Sequence, residues 1–218
     1  MLLASAVMLQ SFLVVLLGVA AAQASPGPNM FAVIEVALGR GRRAALLVVA
    51  GIASGTLVWA AAVSLGLGAV FASVPWLLTA LKFIGGAYLC YMGLRGLRAA
   101  LRGGAAALRA ETRHLSSLAA WRRGFFVVMT NPKALLMWIA VATFLFGSGL
   151  NALQVFAFGP LVALSATLIY GFYGVMFSTG VASRGYARFW RWIETAFGFA
   201  FGGLGVALIV SGLRDLRP

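Results

Sequence analysis

The residues of this chain that could do chemistry gather at two proline-broken points in otherwise apolar sequence. The first is Ser25-Pro26-Gly27-Pro28-Asn29, with Gln23 just before it and Glu35, the only carboxylate near it, a short way beyond. The second is Thr130-Asn131-Pro132-Lys133. Proline removes a backbone donor and glycine accepts unusual dihedrals, so each cluster interrupts a hydrophobic helix and frees backbone groups from helical pairing. In lipid such groups are tolerated only where they face protein or a water-filled cavity. The freed helix ends also carry partial charges that can hold a carboxylate or a cation. Asn29, Asn131 and these backbone groups could therefore hold a zwitterion, Lys133 its carboxylate, and Glu35 its amine or a coupled proton. Plainer readings stand beside these. The prolines could be kinks, Lys133 could snorkel to the membrane interface, Glu35 could pair with Arg42 or Arg43, and Gln23 could simply satisfy freed backbone.

The elements that must position these residues follow from composition. The chain has 218 residues, 62% hydrophobic and 10% charged, with a mean hydropathy of +1.00. A soluble domain of this length cannot hide that much apolar surface, so its solvent is mostly lipid. Six runs are long enough to cross a hydrocarbon core of about 30 Å. They are Leu2 to about Ala24 with its continuation Met30 to Leu38, Ala44 to Phe71, Trp76 to Leu94, Gly124 to Phe146, Ala152 to Phe177, and Ile193 to Leu213. As one straight helix, Leu2 to Gly39 would be about 57 Å long at 1.5 Å per residue, so it must bend, break or re-enter. Ala22-Gln23-Ala24 matches a signal-peptidase pattern, but no basic residue precedes the long apolar run, so it is expected to be retained as a span.

Charge sets the expected orientation. Arg40, Arg42 and Arg43 follow the first run, seven arginines lie between Arg95 and Arg123, and Arg184, Arg188 and Arg191 follow the fifth; the connectors after runs two and four carry none. The formal net charge of +13 is thereby placed in short connectors on one side, a positive-inside pattern rather than a nucleic-acid surface. Both termini are expected outside, with residues 99–123 as a basic cytoplasmic loop that meets membrane lipid. Residues 1–98 and 124–218 then form two halves of three runs each, in one transmembrane domain. An odd number of runs per half inverts one half against the other, and each half opens with a broken helix, the arrangement of inverted-repeat transporters. The expected fold is an all-α integral membrane protein with six transmembrane helices as an inverted 3+3 repeat, helices 1 and 4 interrupted. Lys82, in the third run, is read as snorkelling or pairing across helices.

Several function classes are excluded. No HExxH, GxSxG or phosphate-binding GxxxxGK[ST] motif occurs, the four acids are too few for a two-metal site, and Cys90 and His114 are each alone. No enzyme activity, cofactor or metal site is expected, while association of copies stays open.

At three places the residues resemble the LysE/RhtB family of amino-acid exporters: "SPGPNMFAVIEVALGRG" from Ser25, "LKFIGGAYLCYMGLRGLR" from Leu81, and "WRRGFFVVMTNPKALLMW" from Trp121. The resemblance implies an exporter of amino acids or related small metabolites in the bacterial cytoplasmic membrane, driven by an ion gradient. It maps the first family signature onto Pro26, Gly27, Pro28 and Asn29, and the second onto Gly85, Ala87, Tyr88, Leu89 and Gly93. The third falls on Asn131, Pro132 and Lys133. The chain departs from the family where a proline-containing "PQF" often follows the third signature; Ala142-Thr143-Phe144 stands there instead. The alternatives are export of a metal cation or other small ion, which the scarcity of clustered ligands disfavours, and a non-transporting scaffold bound to anionic lipid through the arginine-rich loop.

Overall fold

The computed structural model describes residues 2–25, 27–67, 75–102 and 115–216, and every regular element among them is helical. Seven α-helices follow in order: α1 (Leu2–Ala24), α2 (Pro28–Ala62), α3 (Pro75–Arg102), α4 (Ser117–Met129), α5 (Pro132–Gly147), α6 (Ala152–Phe177) and α7 (Gly180–Asp215). A π-helical turn, Val63–Leu67, extends α2. Pro28–Gly66 and Ala152–Phe177 are long and apolar enough to cross a membrane, and α4 with α5, bent by 58° at their break, makes a third such span.

The first and fourth runs of the sequence each become two helices, because Pro28 and Pro132 each occupy the opening turn of a new helix, where the missing N–H has no bond to lose. Elsewhere the helices are longer than the apolar runs. The basic stretches after the third run and before the sixth are not loops: Arg95, Arg98 and Arg102 continue α3, and the arginines from Arg184 to Arg191 lie in α7. Arginine is a good helix former, so a span continues until backbone chemistry stops it rather than where hydropathy falls. Arg122 and Arg123 likewise lie in α4, which opens at Ser117 and is capped by the Ser116 side chain on the Ala119 amide. Residues 103–114, which hold the rest of the basic segment, and 68–74, which end the second run and open its connector, lie outside the described residues.

Gly41 bends α2 in two. Its φ of 78° is open to glycine and strained for other residues, and it turns the arm after the first break into the second apolar run. The turn between α5 and α6 falls on residues 147–151, as expected from sequence, with Gly149 at φ 81°. Asn151 and Gln154 form a reciprocal capping box at the start of α6.

The core sits where α2 meets α4 and α6. Val33, Val48, Ile52, Leu145, Phe158, Val162 and Trp138 are all essentially inaccessible there. The α2–α4 contact is backbone on backbone: a Cβ on Gly51 would overlap the Trp121 carbonyl, and one on Gly124 would overlap the Val48 carbonyl. Small residues drive such close crossings because lipid supplies no hydrophobic push between helices. α6 is apolar all round, burying Val155, Phe158, Val162 and Ala166 while Leu153, Leu164, Leu168 and Phe172 face outward, as suits a helix with lipid on one side. α3 pairs along its length with α7, where Gly86 approaches Gly205 and Gly93 approaches Gly198 and Gly202. Lys82 forms an ion pair of 2.6 Å with Asp215 across this contact, the cross-helix pairing anticipated from sequence.

Candidate functional site

The two breaks meet. α1 ends with Ser25 N–H on the Ala21 carbonyl, and the Ser25 hydroxyl donates to Ala22 at 2.9 Å. The next freed carbonyl, Ala24, accepts from the Tyr173 hydroxyl of α6 at 3.0 Å. The chain then passes Gly27 in an extended conformation, φ −175° and ψ 167°, into α2. Any residue can adopt that geometry, so this break is made by proline chemistry and by space rather than by glycine's dihedral freedom. The space is needed because a Cβ on Gly27 would sit 3.3 Å from Lys133 Nζ. Pro26 lies outside the described residues.

On the other side, Thr130 closes α4 through its hydroxyl on Phe126, and Asn131 caps α5. Asn131 is fully committed at both ends of its amide. Its Oδ1 accepts from the Lys133 backbone amide at 3.0 Å, and its Nδ2 donates to Asn29 Oδ1 at 3.0 Å. The first contact fixes which end of the amide is oxygen, so the second fixes the register of one break against the other. Both asparagines are buried. Lys133 reaches across to the C-terminus of α1, where Nζ donates to the Ser25 carbonyl at 3.1 Å and to Ser25 Oγ at 2.6 Å. A cation at a helix C-terminus is stabilised by the carbonyl dipoles that end there. Pro132 is buried against Gly85 of α3, where a Cβ would meet the proline ring, so the second and third signatures touch.

A cavity of about 20 Å³ lies at this junction, lined by Gln23, Asn29, Asn131 and Lys133 together with Thr56, Trp138 and Tyr170. That volume admits about one water molecule. Gln23 anchors the α1 side, donating to the Val162 carbonyl at 3.2 Å and accepting from the Ser165 hydroxyl at 2.7 Å. It lines the cavity, and its backbone partner is a carbonyl of α6 rather than one freed at the break.

Of the sequence candidates, Gly27, Pro28 and Pro132 sit at the junction without lining the cavity, and Glu35 and Tyr88 stand apart from it. Glu35 is paired with Arg123 of α4 at 2.6 Å, not with the nearby Arg42 or Arg43. The pairing across 88 positions of sequence arises because the Gly51–Gly124 contact brings α4 onto α2. Tyr88 lies on an exposed face of α3, and its ring is not part of the lining. Conversely, Thr56, Trp138, Ser165 and Tyr170 were not singled out in the sequence. Each is a polar or polar-tipped residue within an apolar run, a signal that glycine and proline spacing obscured.

Residues 20–212 match the family described as LysE type translocator. The chain is 33% identical over 190 residues to the threonine efflux protein of Salmonella typhi, covering 86% of this chain and 91% of that one. It is 32% identical over 205 residues to the threonine efflux protein of Escherichia coli K12, covering 94% and 100%. Over 117 residues it is 31% identical to the homoserine/homoserine lactone efflux protein of Salmonella typhimurium, about half of each chain. No solved structure matches it. The match extends through both breaks, and the chain belongs to the LysE type translocator family.

Proposed function

We propose that the protein is a secondary transporter that exports amino acids or related small metabolites across the bacterial cytoplasmic membrane. The observation that carries this reading is the direct junction of two helix breaks, Asn131 bonded to Asn29 and Lys133 bonded to Ser25. The names of the relatives, threonine and homoserine efflux proteins, agree with it. In this reading the cavity is the closed form of the substrate site. An amino acid is several times larger than the void, so loading requires the Asn29–Asn131 contact to part. Once parted, both amides and the amide ends of α2 and α5 are donors for a carboxylate. Lys133 exchanges Ser25 for that carboxylate, trading a dipole contact for a full charge. The free energy of substrate binding is thus set against contacts that hold the site shut, which is the differential affinity that shifts a two-state equilibrium.

The two halves, 1–98 and 124–218, are proposed to be related by inverted topology, with α1 and the first arm of α2 corresponding to α4 and α5. Support comes from proline at the start of both inner helices and from the pairing of α2 with α6 and of α3 with α7. Orientation is proposed from the arginines, with both termini outside. Glu35 is the proposed proton-coupling residue. Its protonation would release Arg123 and loosen α4 from α2, while deprotonation would restore the pair.

Purified protein in liposomes tests this. Wild type should drive uphill movement of labelled threonine when a proton gradient is imposed. Lys133→Ala should lose that movement and also lose threonine exchange at zero gradient, whereas Glu35→Gln should lose only the former. Wild-type rates in Lys133→Ala would remove the carboxylate role, and gradient-driven transport by Glu35→Gln would remove the coupling role.

A further inference from the structure

We propose that Trp138 and Thr56 form a subsite for the side-chain hydroxyl of a hydroxylated amino acid. The proposal rests on the amino-acid-export reading and adds to it a substrate class and the residues that select it. Trp138 of α5 is fully buried, and its Nε1 has no hydrogen-bond partner among the described residues. Buried donors are nearly always satisfied, and an orphaned one calls for a physical reason. Neighbouring donor groups each have a partner: Asn131 donates to Asn29, Gln23 to Val162, and the indole of Trp59 to the Val128 carbonyl.

Trp138 lines the cavity with Thr56, which lies on α2. Thr56 spends its one hydrogen on the Ile52 carbonyl at 2.9 Å and keeps its oxygen lone pairs as acceptors. Together the two side chains offer one donor and one acceptor. A hydroxyl needs one of each, a methyl or methylene needs neither, and a charged group would need more. The cavity, about 20 Å³, has room for one oxygen-sized group. Lys133 and the asparagine pair line the same cavity, so a bound amino acid has its carboxylate and its side chain served by different residues. An apolar side chain in the same place would leave the indole N–H unsatisfied. Sites built around a hydrogen bond reject analogues for that reason far more strongly than a hydrophobic pocket rejects a missing methylene. In this closed form the indole nitrogen is shut off even from a water-sized group, so the pair meets a hydroxyl only once the site opens.

Threonine and 2-aminobutyrate, and serine and alanine, are matched pairs that differ by the hydroxyl alone. Each compound would compete against labelled threonine exchange in liposomes holding the full-length protein. Wild type should favour the hydroxylated member by about tenfold or more. Trp138→Phe, which keeps an aromatic ring and removes the N–H, should narrow the preference to about twofold by weakening the hydroxylated member alone. Thr56→Val should narrow it similarly and serves if Trp138→Phe does not fold. Equal competition by both members in wild type overturns the subsite. An unchanged preference in a folded Trp138→Phe also overturns it. If wild type exchanges no amino acid at all, the export reading fails first, a result distinct from exchange without discrimination.

Discussion

Asn131 carries two duties with one side chain, capping its own helix and gripping Asn29 across the cavity. The two duties respond differently to substitution. Asn131→Asp can still accept from the Lys133 amide, but a carboxylate cannot donate to Asn29 Oδ1, so it keeps the cap and breaks the grip. Asn131→Ala loses both. Thermal unfolding in detergent should therefore rank wild type above Asn131→Asp and Asn131→Ala lowest, the missing cap costing about 1 kcal/mol. A double-mutant cycle of Asn29→Ala with Asn131→Ala should show a coupling of roughly 0.5–1.5 kcal/mol, the net worth of a hydrogen bond; strict additivity would mean that the amides do not hold the breaks together. The two asparagines and Lys133 were legible in the sequence because each borders a proline. Their mutual contact was not, since nothing in a single sequence states that two points about a hundred residues apart share a cavity. Glu35 illustrates the same limit. Sequence offered the arginines one or two turns away, and the fold supplied Arg123 from another helix.

Helices impose their own constraints. Both breaks could be read from Pro28 and Pro132, and so could the turn at Gly149, because proline and glycine act locally. Helix ends at the arginine-rich stretches could not, since hydropathy marks where lipid ends and says nothing of where backbone pairing stops. The glycine-mediated crossing of α2 and α4 yields a sharp prediction. Gly124→Val must push its side chain into the backbone of α2 around Val48, so it should destabilise the protein by roughly 1–3 kcal/mol or prevent its accumulation in membranes. Gly147→Ala, with nothing near the added Cβ, should be tolerated in the same assay. Because that crossing also aligns Arg123 with Glu35, a milder Gly51→Ala should weaken gradient-driven transport as well as stability. Intact coupling in a destabilised Gly51→Ala protein would separate the ion pair from proton movement.

Taken whole, the molecule divides its charge from its chemistry. Basic residues cluster at the proposed cytoplasmic ends of the helices, whereas the cavity is lined by amides, hydroxyls, an indole and a single lysine. On the positive-inside reading, a cysteine introduced between residues 103 and 114 should react with a membrane-impermeant reagent only in inverted vesicles. One at residue 217 or 218 should react only in intact cells stripped of outer membrane. Among the described residues, the α3–α7 pair is closely joined to itself and touches α5 where Gly85 meets Pro132 and α2 where Phe201 meets Phe31 at 5.3 Å between ring centres, with a further contact to α6. Such a pair can shift as a unit against the core, with Pro132 carrying the displacement to the cavity. The molecule also brings its own reporter. Cys90, the one thiol in the chain, is half-buried in the α3–α7 seam, its Sγ 3.9 Å from the Gly202 carbonyl. Its alkylation rate follows the opening of that seam without any engineered label. A rate that stays constant when saturating threonine is added would mean that α3 and α7 remain clasped throughout transport, and that the moving boundary lies between this pair and the core.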